Sequence, residues 1–175
     1  MTNVAITPGA GATIATDTVG GVEYQRVRFG CKATVVTATP TLDTSAYAVG
    51  DCLHTTVIEF ANAVGASLSG IVEKMVVFDK IAQSQPLVLH LYSATVTPAA
   101  ANAAHSLSDA DGVKYVGSVY SGIYESQTLN SVAMTKNVGL AIKLAGTSLF
   151  GILVTKGTPT YAADSLTVSL LIQED

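Results

Sequence analysis

The chain has 175 residues, of which 49% are hydrophobic and only 13% charged, with a net charge of −4. That length supports one domain with a core built without metals or disulfides, and the acidic balance speaks against a nucleic-acid-binding module. A mean hydropathy of +0.43 would suit a membrane, but apolar runs such as Leu149–Val154 fall far short of the roughly 20 residues of a spanning helix.

A chain this apolar is expected to hide part of its surface in an assembly. Thr2-Asn3-Val4 supplies no basic region and no long apolar run follows, so no signal peptide is expected. Residues 1–21 read as an extended arm. Pro8-Gly9-Ala10-Gly11-Ala12 propagates neither helix nor strand, and small residues continue to Gly21. Gly20-Gly21 opens a strand-like run in which Val22, Tyr24, Arg26 and Arg28 share one side and Val27 and Phe29 the other. A strand whose apolar face changes midway serves two environments, one of which can be a neighbouring chain. Asp17 and Glu23 against Arg26, Arg28 and Lys32 leave residues 1–32 at +1 and the remainder at −5. Such a basic arm suits an acidic partner surface. Val22, Tyr24, Arg26 and Arg28 are therefore candidate interface residues.

Strand signals then recur between turns. Thr34–Thr39 is β-branched up to Pro40, and a strand is expected from Asp51 or Cys52 to Phe60. Gly70–Phe78 is apolar on both faces, as a central strand would be. In Leu87–Tyr92, three leucines oppose Val88, His90 and Tyr92. Leu140, Ile142 and Leu144 oppose Ala141 and Lys143, and Leu166, Val168, Leu170 and Ile172 oppose Thr167, Ser169, Leu171 and Gln173. Val113–Tyr120 and Leu149–Lys156 add two more strands. Ala61–Leu68 and the Ala-rich Pro98–His105 are candidates for short helices, with Ser106 and Asp109 spaced as a capping pair. The long connection Thr95–Gly112 favours strands that cross between sheets over a meander. The expected fold is all-β: a jelly-roll-like antiparallel β-sandwich over residues 22–175, with the arm and at most short helices besides.

Residues with reactive side chains are sparse. His54, His90 and His105 have no second His or Cys at zinc spacing. Asp109-Ala110-Asp111-Gly112 resembles the opening of a calcium loop but lacks its later oxygen ligands and closing Glu, so it reads as a surface turn. There is no Gly-x-Ser-x-Gly elbow. Without tryptophan a sugar-stacking surface is poorly supplied; Tyr115, Tyr120 and Tyr124 read as core or interface. Cys31 and Cys52, each bordering a strand, read as reduced thiols, with a bridge open if their strands are neighbours. No catalytic residues, cofactor or metal are expected.

Three segments carry a resemblance: Thr18–Phe29, then Pro40-Thr41-Leu42-Asp43-Thr44-Ser45-Ala46-Tyr47-Ala48-Val49-Gly50-Asp51-Cys52-Leu53, and a looser run from Ser69 to Asp79 leading into Leu87–Tyr92 and Asn102–Gly117. Together the chain resembles small bacteriophage virion proteins of the capsid decoration, or cement, type. The resemblance implies a β-sandwich with an extended arm. It further implies synthesis in a host bacterial cytoplasm and assembly as a homo-oligomer, dimer or trimer, on the major capsid protein at the virion head surface. No enzymatic activity and no nucleic-acid or membrane partner is implied. A tail, baseplate or head-fibre component would share the β architecture, and a carbohydrate-binding β-sandwich is a further alternative. Tyr47 reads either as an aromatic interface anchor or as a cap on the core.

Overall fold

Alternation with a period of two dictates most of the strands, because each then has one face to bury. A computed structural model describes residues 16–19, 22–25 and 32–174. In chain order the strands are β1 (Thr16–Val19), β2 (Val22–Gln25), β3 (Lys32–Ala38), β4 (Ile58–Phe60), β5 (Ser69–Asp79), β6 (Leu87–Tyr92), β7 (Tyr115–Tyr120), β8 (Tyr124–Ser126), β9 (Ser131–Lys143), β10 (Leu149–Thr155) and β11 (Leu166–Glu174). Among the described residues the one α-helical turn is α1 (Asp109–Gly112), and no helix is long and apolar enough to cross a membrane.

The chain divides into two units, Met1–Gly30 and Cys31–Asp175. In the first, β1 pairs antiparallel with β2, from Thr16 opposite Gln25 to Val19 opposite Val22. This corrects the expected arm over 1–21 at its end: residues 16–19 are strand, and the unit boundary falls after Gly30 instead of Gly21. The reason is local, since two glycines between β-branched runs are a hairpin signal. Val22 and Tyr24 lie on β2; Arg26, Arg28 and Cys31 fall outside the described residues.

In the second unit a four-stranded sheet, β4-β10-β6-β7, packs on a five-stranded one, β3-β11-β5-β9-β8, and every pairing is antiparallel. Setting β8 aside, the chain alternates between the sheets except at β6 and β7, which are neighbours in the four-stranded sheet, and β11 enters between β3 and β5 while β10 enters between β4 and β6. Those two interlocked Greek keys make a jelly roll. Leu166, Val168, Leu170 and Ile172 are fully buried and share one core with Leu87, Leu89 and Leu91 of β6 and Leu149 and Leu153 of β10. Gly117 on β7 lets Leu140 of β9 close that edge of the sandwich, since a Cβ there would meet the Leu140 side chain at 2.8 Å.

Four local expectations are corrected. Ala61–Leu68 forms turns, and residues 98–105 run as irregular chain whose Ala104 bridges Asp51. α1 starts later than expected, with Ser108 as its cap accepting from the Asp111 N–H at 3.2 Å. The strand expected from Cys52 shrinks to Ile58–Phe60. His54 explains part of that shortening. Its Nε2 accepts the Leu153 N–H at 2.9 Å, and its Nδ1 donates to the Thr56 carbonyl at 2.6 Å. The side chain stands in for a strand neighbour and fixes the connection before β4.

Burial pushes the His54 imidazole down to about 4, against a smaller opposing pull from the Thr56 carbonyl. An unfolded histidine protonates near 6.5, so between those values the unfolded chain binds the extra proton and stability falls as pH drops. Urea unfolding at pH 5 should give a stability lower than at pH 7.5, with His54 contributing on the order of 2 kcal/mol of the loss. In His54→Gln that share of the pH dependence should vanish; an unchanged pH slope would refute the assignment.

Candidate protein interface

The two sheets each bury an inner face, and their outer faces differ. On the four-stranded sheet, Val88, Tyr92, Ile152 and Val154 point outward yet are buried. Tyr92, Ile152 and Val154 form a second apolar cluster with Cys52 and Val96, to which Ala99 and Leu107 of the β6–β7 connection add their side chains. Residues 93–114 thus roof this sheet. The roof is tied down by backbone bonds from Cys52 to the Ala103 carbonyl, Asn102 to the Cys52 carbonyl and His105 to the Gly50 carbonyl, at 2.9, 2.9 and 3.0 Å. Within it, the Asp111 carboxylate accepts the Thr97 N–H at 3.1 Å and the Lys114 ammonium at 2.7 Å. Lys114 foremost, then the Thr97 N–H, holds that carboxyl below its ordinary range. The acidic segment over 109–112 is therefore an internal clasp of the roof.

Under the roof, His90 of β6 stacks on His105 with ring centroids 4.7 Å apart and planes within 14°, and Tyr115 tilts against His90 at 6.0 Å. Cys52 Sγ lies 3.5 Å from His105 Nδ1. A thiol beside an imidazole invites comparison with a nucleophilic dyad, but the electrostatics run the other way. Burial pushes the Cys52 thiol up. Burial pushes His90 down to about 4, helped by the nearby positive charges that His105 and Lys156 can carry, and His105 is also lowered. Each shift favours a neutral group, whereas an activated pair needs thiolate and imidazolium. Among the described residues, no three His, Cys, Asp or Glu side chains are grouped to hold a metal ion.

No described element of the body packs on the outer face of the five-stranded sheet. Cross-strand partners share a face, so the register lays out three rows. Thr167, Phe78, Val132 and Glu125 form the first row; Ser169, Val76 and Met134 the second; Leu171, Lys74 and Lys136 the third. Toward β3 the face is mixed: the Thr37 and Ser169 hydroxyls lie 2.8 Å apart and those of Thr39 and Thr167 3.1 Å apart, while Val35, 66% exposed, stands beside Leu171. Toward β9 it is apolar. Ile123, 92% exposed, joins Val132 and Met134 around a hollow flanked by Glu125 and Lys136. Water-facing sides of antiparallel sheets normally carry polar residues, so contiguous apolar side chains there make this face a candidate protein interface.

The neighbouring edge is poorly suited to adding a strand. β8 covers β9 only from Ser131 to Ala133. Farther along, β9 bulges against β5 between Lys136 and Leu140, with left-handed backbone at Asn137 and Gly139. A kinked edge of this kind blocks further pairing.

Of the sequence-derived candidates, Tyr47 is corrected from interface anchor to core: it is 3% exposed. Its hydroxyl accepts the Asp43 N–H at 2.7 Å and donates to the Leu53 carbonyl at 2.9 Å. The structure brings Tyr115 to the histidine stack but leaves Tyr120 exposed and Tyr124 half-buried, so these three tyrosines form no common cluster. Sequence reasoning missed Ile123, Val132 and Met134, although the two-sided apolarity of β5 was a signal for the face they occupy. Cys52 is a free, buried thiol. No family model matches the chain, and no curated protein is similar to it in sequence.

The histidine stack makes the roof acid-sensitive, because protonating both rings puts like charges face to face at 4.7 Å. In a Cys31→Ser background, Cys52 should react slowly with dithiodipyridine at pH 7 and about tenfold faster at pH 4. His105→Phe keeps an aromatic ring in the stack without a titrating group and should suppress that increase; equal acceleration in both proteins would refute the mechanism.

Proposed function

We propose that the protein is a structural component of a bacteriophage virion, of the capsid decoration type, binding the outside of the head shell as a homo-oligomer and stabilising it. The observation that carries this reading is the apolar half of the five-stranded sheet's outer face, where Ile123, Val132 and Met134 crowd one side of a jelly-roll body. The resemblance of Thr18–Phe29 and Pro40–Leu53 to such proteins supplies the virion context. The neutral, tightly packed state of His54, His90 and Cys52 fits a body that uses these residues for packing.

The mechanism is mechanical. Subunits bury apolar area against one another, and residues 1–30 attach the assembly to the major capsid protein. Many weak contacts on one lattice act together through effective concentration. Attachments that cross shell-subunit boundaries then oppose the outward pressure of packaged DNA.

Empty shells of the major capsid protein encoded in the same genome should bind the purified protein saturably in a sedimentation assay and melt at a higher temperature when coated. Deleting residues 1–30 should abolish binding while the strand signature in far-ultraviolet circular dichroism persists. Failure of the full-length protein to sediment with shells would sink the proposal. Its recovery with purified tails, baseplates or head fibres would move the function there.

A further inference from the structure

β3 closes one side of the five-stranded sheet, and no described strand pairs with its outer edge. Exposed edges are normally blunted by charges, prolines, bulges or very short strands. β3 has seven residues, and from Ala33 to Ala38 it carries no charge, proline or glycine. It pairs with β11 without a break in register, and Ala33, Val35 and Thr37 stay exposed. The other edges are guarded. β4 and β8 have three residues each, β9 bulges beyond β8, and the Tyr120 carbonyl of β7 is taken by the Thr135 hydroxyl. We propose that β3 is the edge to which a second copy of the chain adds. The two β3 strands run antiparallel about a two-fold axis beside Val35 and join two five-stranded sheets into one. This rests on the reading of the protein as an assembling structural subunit and says how its homo-oligomer forms.

Any extended strand satisfies the backbone groups of an open edge, and here the side chains select a second β3. Inward residues must meet inward ones and outward residues outward ones, so the axis lies at a residue and not between two. An axis at Thr34 sets the Lys32 ammonium opposite Val36, which is buried, and pairs only residues 32–36 of the strand. An axis at Val36 draws Pro40, which has no N–H, opposite Lys32. At Val35 the whole strand pairs. Lys32 meets Ala38 of the second copy, Ala33 meets Thr37, Thr34 meets Val36, and Val35 meets its own counterpart. No charge faces a like charge. On the outer face, Leu171 and Val35 of one copy run on into Val35 and Leu171 of the other. That aliphatic row covers Val35, which the single chain leaves 66% exposed.

Alternate residues of each strand turn their N–H and C=O groups to the new neighbour, which gives about six to eight backbone hydrogen bonds across the junction. Antiparallel pairing continues the pattern of every other pair in this sheet. The axis stands normal to the sheet, so both outer faces point the same way. The two surfaces built on Ile123, Val132 and Met134 then lie on one side of the dimer, presented together to a single shell.

Light scattering coupled to size-exclusion chromatography of the full-length protein should give twice the chain mass. Val35→Lys sets two ammonium groups against each other on the axis and should raise the dissociation constant about tenfold or more. Cross-linking reads the register. In a Cys31→Ser background, Val35→Cys should form a disulfide-linked dimer on mild oxidation, because directly opposed residues lie about 4.5–5.5 Å apart at Cα. Ala33→Cys alone should not link, since its counterpart lies about 13 Å away along the strand. A mixture of the Ala33→Cys and Thr37→Cys proteins should give the mixed dimer. Circular dichroism confirms that each variant is folded, and all three positions are exposed. A wild-type monomer or trimer, a dimer indifferent to Val35→Lys, or cross-links that ignore this register overturns the inference. These measurements use no shells. A monomer that still coats shells would overturn the dimer and leave the proposed function standing, while a dimer that ignores shells would do the reverse.

Discussion

The insertion of β11 between β3 and β5 is the constraint on which the rest of the body depends. Residues 166–174 pair on one side with residues 32–38 and on the other with residues 70–79, so strands far apart in the chain become direct neighbours. Without β11, β3 would lose its ladder and the sheet would split. The four apolar side chains it sends inward, Leu166, Val168, Leu170 and Ile172, are fully buried. Glu174 helps hold the far end, accepting from Lys32 Nζ at 2.8 Å and from the Thr34 hydroxyl, and these partners keep its carboxyl below the ordinary range. Such non-local pairing is slow to form, because loop closure must precede the contacts that reward it. Once formed, it fixes the outer rows as firmly as the inner ones, since both belong to the same ladders.

That rigidity gives the asymmetry between the outer faces its meaning. The four-stranded sheet is roofed by residues 93–114, and its outward Val88, Tyr92 and Ile152 have become core. The five-stranded sheet has no comparable cover among the described residues, and its outward Val76, Phe78, Val132 and Met134 stay partly exposed. Chemically the roofed face is quiet, because burial drives its thiol and imidazoles to their neutral forms. On the open face, by contrast, apolar area and two signs of charge coexist.

Legibility in the sequence varied with how cleanly inward residues outweigh outward ones. β6 and β11 were readable because aliphatic side chains repeat at every second position over their inner faces, and β10 because its run from Leu149 to Val154 is almost wholly apolar. The first half of β9 was not. There Ala133 and Thr135 point inward while the larger Val132 and Met134 point outward, so the alternation runs against the usual sense. β5 was legible as a central strand, but apolarity on both sides suggested burial on both, and only its inner residues are covered. The Ala-rich stretch at 98–105 has the propensity of a helix, and its backbone bonds to Cys52 override that propensity.

By itself the sequence determined the all-β class, the positions of its cleanly alternating strands, and which side chains on each strand share a face, because the period of two is a local property of extended backbone. Tertiary structure alone decided the sheet order, the encounter of Cys52, His90 and His105, the burial of Tyr47, and above all which outer face is covered. Those outcomes depend on segments that lie tens of residues apart and meet only after the chain has crossed between its sheets. No local periodicity encodes that meeting.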